Sequence, residues 1–316
     1  MLGLALHHRW ITFCLTLFIA IFFSFPSFAS ERLTPLNLDK TEVSWTKLSF
    51  KGKEFFAKLN AEVKLTSSSE PELNTVFIPS SEGIPIEAPG LGALVIDTRI
   101  LIKSIIANVE LQKIAWFHPV NLSAMQYVRQ RIGFKDSNKV YRFTNKGVFR
   151  VAKQPINKSE ALQLPEEWSA RNEQFYPYPI EVGGCPSITV PMSLIYLISA
   201  SKMSNFNKPV TVCVFNKKET VYLDIKKEPA ESVQLNHIEL KRGEAVQKNI
   251  LILADVLSLK ARSITSGKAI DNFTLIGLQG NIKVYVDRMS RIPVQLTGDY
   301  KSFGQIQLNL YKVIHN

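Results

Sequence analysis

The chain has 316 residues, with 38 Lys and Arg against 27 Asp and Glu, so its formal charge is +11 at neutral pH. Hydrophobic residues make up 46 %, enough for a sizeable core, yet beyond the first thirty residues no apolar stretch reaches membrane-spanning length. The basic residues fall in scattered pairs (Arg129 and Arg131, Lys217-Lys218, Lys226-Lys227, Lys241-Arg242) rather than in a tract, which suits solubility or an anionic lipid surface better than nucleic acid.

The first element is an export signal. His7-His8-Arg9 gives a charged start, Trp10 to Phe25 an apolar run, and Pro26 a break. Ser27-Phe28-Ala29 then sets small residues at the positions a signal peptidase reads, predicting cleavage after Ala29, with Ser30 as the alternative. The apolar run is short of the roughly 20 residues an uncleaved anchor needs. Lipidation is disfavoured because Cys14 lies inside that run after Phe13. The expectation is a single β-rich periplasmic domain over residues 30–316.

In the mature region the dominant period is two. Val43, Trp45, Leu48 and Phe50 predict a strand, Lys51-Gly52-Lys53 a turn, and residues 54–66 a long strand with Leu59, Ala61 and Val63 on one face. Leu101, Lys103, Ile105, Ala107, Val109 and Leu111 read as another long alternation, ending near Phe117. Hairpins follow at Asn145-Lys146-Gly147, where the glycine suits a left-handed turn position, and at Asn216-Lys217-Lys218. A third reverses at Asp287-Arg288-Met289-Ser290, and Ile306, Leu308 and Leu310 form the last strand. This is the pattern of a mainly β fold, a curved antiparallel sheet or open β-barrel.

Residues 157–207 break the pattern. Residues 159–163 and 165–172 predict short helical turns, and Pro177, Pro179, Pro186 and Pro191 with Gly183-Gly184 mark an irregular crossing. Met192 to Lys202 then predicts a short helix, apolar around most of its circumference and packed across the sheet. Two cysteines remain after signal removal, Cys185 and Cys213; in an oxidising compartment they predict a disulfide.

Pro191-Met192-Ser193-Leu194-Ile195-Tyr196 opens that helix, a valine-rich hairpin follows, and the chain closes on residues 281–287, Arg291-Ile292-Pro293-Val294 and Gly304-Gln305-Ile306. This arrangement resembles the exported bacterial family called domain of unknown function 3108, over residues 180–312 and more faintly over 42–150. The sequence departs from the family pattern at Thr189-Val190-Pro191-Met192, where an acidic residue usually stands. The resemblance implies a periplasmic β fold like an open barrel with a helix across it; it brings no reaction and no catalytic residue.

No reaction motif or metal spacing stands out. His118, His237 and His315 are far apart, Ser193 lacks a nucleophile elbow, and Asp287 and Asp299 fit turns. No cofactor or metal is expected. The functional expectation is a non-enzymatic envelope protein binding an apolar or amphiphilic ligand, a lipid for example, or an envelope partner, with Leu194, Tyr196 and Leu197 as candidate lining residues. The same residues also read simply as core, and core is the favoured reading because apolar helix faces are usually buried for packing. A hydrolase of surface polysaccharide and a scaffold of an outer-membrane complex are the alternatives. An apolar cavity under the helix would favour the carrier, a wet cleft with two carboxylates the hydrolase, and an uncovered strand edge the scaffold.

Overall fold

A computed structural model describes residues 38–39, 43–54, 57–90, 92–104, 108–179, 184–300 and 304–316. All of them fall in one compact unit, Leu33–Asn316. The expected export segment, with its expected cleavage point at Ala29, falls outside the described residues.

Among the described residues the period-two pattern becomes fifteen strands. The first eight form a meander: β1 (Trp45–Glu54), β2 (Ala57–Ser68), β3 (Ala93–Ser104), β4 (Asn108–Phe117), β5 (Ala124–Ile132), β6 (Ser137–Phe143), β7 (Gly147–Gln154) and β8 (Ala170–Pro177). A two-residue strand, β9 (Ile188–Thr189), runs parallel to β10 (Val210–Asn216). A second meander follows, of β11 (Glu219–Lys241), β12 (Glu244–Ser263), β13 (Gln279–Asp287), β14 (Pro293–Tyr300) and β15 (Gly304–His315). The two meanders join where β1 and β15 pair antiparallel, with Leu48 opposite Val313 and Phe50 opposite Leu310. One curved sheet therefore runs from β8 through β1 and β15 to β9.

The second half of that sheet closes on itself. A register shift between Glu228 and Glu231 bends the long β11–β12 hairpin. Its distal part folds back so that Ile238–Leu240 pairs in parallel with Lys312–Ile314. Strands β11 to β15 thus form a continuous circuit, while β1 to β8 stay an open curve.

The main core lies on the inner face. Trp45, Phe50, Phe117, Phe143 and Phe215 meet there, together with helix α2 (Ser193–Ala200). All eight residues of α2 are buried. Trp45 Nε1 donates to Ser199 Oγ at 3.1 Å, tying helix to sheet. A smaller outer cluster holds Leu73, Trp116 and Met125, where helix α1 (Glu70–Val76) covers the far side of β3–β5. The Glu72 carboxylate accepts from the Ser69 amide at 2.8 Å and caps that helix.

Several local expectations are corrected. Lys51 and Gly52 lie within β1, paired with Asn60 and Leu59, so the chain reverses after Glu54 and not at 51–53. The alternation through 101–111 is two strands: Lys103 pairs with Asn108, and residues 105–107 lie outside the described residues. Residues 165–172 give one turn of 3-10 helix, Pro165–Glu167, and then enter β8, whose backbone groups pair with β7. Gly147 is a strand residue facing a close neighbour, since a Cβ there would lie 2.4 Å from the Tyr176 carbonyl oxygen. Asp299 sits in β14 opposite Gln305 rather than in a turn.

Candidate functional site

The helix residues expected to line a pocket are core. Leu194, Tyr196 and Leu197 are at most 4 % exposed, and none borders the clefts described below. Burial raises the Tyr196 phenol above its ordinary value. Ser193 is also enclosed: its hydroxyl donates to the Val190 carbonyl at 2.8 Å and accepts from Thr189. That hydroxyl is a local packing bond. Cys185 and Cys213 are bonded, with Cα atoms 6.0 Å apart, and tie the end of the crossing to β10.

The histidines divide. His118 Nδ1 accepts from the Val120 amide at 3.2 Å, an ordinary cap. His237 and His315, distant in sequence, meet at Glu239 on the β11–β15 seam, 3.1 and 3.7 Å from its two oxygens, and Lys248 reaches the same carboxylate at 2.7 Å. Among the described residues no group of three His, Cys, Asp or Glu is arranged to hold a metal.

The chemistry concentrates elsewhere, on the inner face of β3–β6. Alternation places Ile100 and Ile102 of β3 inward; Ile100 lies opposite Leu111 and Ile102 opposite Val109 on β4. One step along, the inner row changes character. Thr98 pairs with Lys113, Lys113 with Arg129, and Arg129 with Lys139. Three cations therefore stand side by side on adjacent strands, on the face that elsewhere forms the core. Arg131 occupies the neighbouring row opposite Leu111. Beneath them Tyr127 stacks on Tyr141 with ring centroids 5.7 Å apart, and Tyr141 meets Phe215 edge-on.

These groups enclose a cavity of about 400 Å³, closed on its far side by Lys217, Thr274, Gly277 and Tyr300 from the second half of the sheet. Six cations line it (Lys113, Arg129, Arg131, Lys135, Lys139 and Lys217), and no carboxylate does. Its aliphatic wall is Ile102, Val109 and Leu111. Among the described residues no ion pair joins Lys113, Arg129, Arg131, Lys135 or Lys139 to an acid. Of these lining atoms Arg131 Nε is buried without a hydrogen bond; Thr98 Oγ1, also unpaired, stands beside Lys113 but outside the lining.

Such an arrangement is costly in the empty protein. Directly opposed like charges about 5 Å apart repel by about 3 kcal/mol at an effective dielectric near 20. The protonation states register this. Burial, with Arg129 and Lys217 beside it, pulls the Lys113 ammonium down to about 7. Burial lowers Lys139 too, and Arg129 and Arg150 push the same way. Burial raises Tyr127, against the pull of Arg129.

Two further clefts differ in kind. On the outer face Ile114, Val128, Val140 and Val151 align across four strands as the floor of a trough of about 760 Å³. Its rim carries both signs, with Arg171 paired to Glu173 at 2.5 Å and Glu166 nearby, both carboxylates exposed. A polar cleft of about 830 Å³ holds Lys51, Asn60 and Lys283, with Glu231 as its lining carboxylate.

The sequence offered one trace of the inner site: Tyr127, Arg129 and Arg131 share one strand face at alternate positions. Lys113 and Lys139 join them only through register. No family model, curated protein or solved structure matches the chain.

Proposed function

We propose that this chain is an exported, non-catalytic envelope protein that takes an amphiphilic ligand into the curve of its sheet, at the cavity of β3–β6 rather than beneath α2. The observation that carries the reading is the meeting, on one inner face, of an aliphatic wall and a row of unneutralised cations. A cavity of this size holds part of a chain-bearing ligand, and its polar end selects by charge. Export is supported by the segment ending at Ala29, and an oxidising location by the Cys185–Cys213 bond. The resemblance to the domain of unknown function 3108 family agrees with a periplasmic place. The test is native mass spectrometry of the protein purified from periplasm without denaturant, followed by extraction. An acyl-chain species bound at one per protein is the expected result; an empty protein that also takes up no fluorescent fatty acid would defeat the reading.

A second reading, a scaffold that adds strands to an envelope complex, is favoured by the distal part of β12. Residues 244–253 pair with β11 along one edge, and no strand covers the other edge among the described residues. Val246, Ile250, Leu251 and Leu253 are exposed there, and such an edge is a template for a partner's strand. Cross-linking at Leu251 in cells separates the two: capture of an envelope protein supports the scaffold, and its absence together with bound lipid supports the carrier.

A further inference from the structure

We propose that the head of the ligand is a phosphate monoester, held as a dianion across Lys113, Arg129 and Lys139. The argument starts from charge balance. Adjacent strands lie about 4.8 Å apart, so the three cations span roughly 10 Å of the inner face, the dimension of one tetrahedral anion with its hydrogen-bonded partners. A carboxylate brings a single charge and leaves the row strongly positive. A phosphate monoester near neutrality carries close to two charges and three acceptor oxygens, one for each cation. Arg129 and Arg131 add planar forks suited to such oxygens, and Arg131 Nε is a buried donor with no hydrogen bond.

Arg131 Nε is the independent sign. Arg131 lines the cavity, it stands opposite Leu111 in the neighbouring row, and its Nε is buried with no hydrogen bond. A buried polar atom of this kind is costly unless something accepts from it. The lining also disfavours zwitterionic heads, because no carboxylate is there to receive an ammonium group. For a lipid phosphate the chain runs along Leu111, Val109 and Ile102; a free phosphate would use the basic row alone. That part of the assignment rests on the amphiphile reading; the head does not.

The experiment is calorimetric titration of the purified protein, in buffer without phosphate, with dodecyl phosphate, dodecyl sulfate, dodecanoate, dodecyl maltoside and inorganic phosphate, all below micelle concentrations. Dodecyl phosphate is expected to bind at least tenfold tighter than the two monoanionic detergents. Arg129→Gln should weaken it a further tenfold or more, while Lys103→Gln, an exposed cation on the opposite face of β3, should leave it unchanged. Equal binding of phosphate, sulfate and carboxylate heads overturns the phosphate assignment but leaves the amphiphile reading standing. Inorganic phosphate binding as tightly as dodecyl phosphate keeps the head and removes the chain, and with it that reading. No binding of any anion overturns both. Should Arg129→Gln fail to fold, Lys139→Gln supplies the same comparison, with a smaller loss on the phosphate probes.

Discussion

Lys113→Met is expected to stabilise the ligand-free protein. Lys113 stands on the inner face of β4 between Thr98 and Arg129, with Lys139 one strand further on. Its ammonium falls from the ordinary 10.5 to about 7, through burial first and then through Arg129 and Lys217. A fall of that size corresponds to about 5 kcal/mol at most, and because the side chain keeps some contact with water at the cavity mouth, about 2 kcal/mol is the better expectation. Met retains the length and the apolar stem, so the gain is not offset by a large void. With a urea slope of about 3 kcal/mol per molar for a chain of this size, the midpoint should rise by roughly 0.7 M. The pH dependence follows from linkage. The folded protein releases this proton near pH 7 and the unfolded chain only near 10.5, so the penalty is full below about 7 and shrinks as pH rises toward 10.5. The advantage of the variant should therefore be largest at pH 6 and fall to less than half by pH 9. Dodecyl phosphate should raise the midpoint of the wild type and barely move that of the variant. A lower midpoint for Lys113→Met, or a gain equal at pH 6 and pH 9, would refute the view that this lysine is held charged at a cost for the sake of an anion.

Reduction, or Cys213→Ala, should cost about 3 kcal/mol by opening the loop between Cys185 and Cys213, read as a lower melting temperature in reductant; thiols that alkylate in denatured, unreduced protein would contradict the bond. Leu194→Ala and Leu197→Ala should each cost about 2–5 kcal/mol, since both side chains are enclosed, with fluorescent fatty acid uptake unchanged; loss of uptake at wild-type stability would return the ligand to the helix. At the β11–β15 seam, burial pushes the Glu239 carboxyl up, but hydrogen bonds from Lys248 and His237 hold it below the usual range. Its stabilisation is therefore present at neutral pH and lost as pH falls through the carboxylate range. Glu239→Gln should cost about 1.5–3 kcal/mol at pH 7 and progressively less from pH 5 down to 3.5, measured by urea midpoints; a constant difference would mean that the carboxylate does not hold the seam.

Much of the fold was legible where a strand buries one face and wets the other. Leu59, Ala61 and Val63 in β2 and the last strand through Leu308 declare themselves by alternation. The helix at 193–200 and the irregular crossing before it are marked by composition and by prolines. The signal weakens where both faces meet water: residues 244–253 of β12 carry exposed Val246 and Leu251 on opposite faces, so the distal part of the longest hairpin has no clean period. It also misleads across a turn. Leu101 and Lys103 face outward on β3, whereas Val109 and Leu111, in the same odd-numbered phase, face inward on β4.

By itself the sequence determined that the chain is built of paired strands, that a short apolar helix crosses them, and that two cysteines are available to each other. Those properties are local: they follow from side-chain alternation, from proline and glycine, and from a count. The tertiary structure alone decided which side of each strand became the inside and which residues of distant strands became neighbours. A period of two says which residues share a face but not whether that face is core, solvent or cavity; turn length and sheet curvature settle that. Register then set Lys113, Arg129 and Lys139 in one row, and no sequence spacing announces three cations on three strands pointing into the same space.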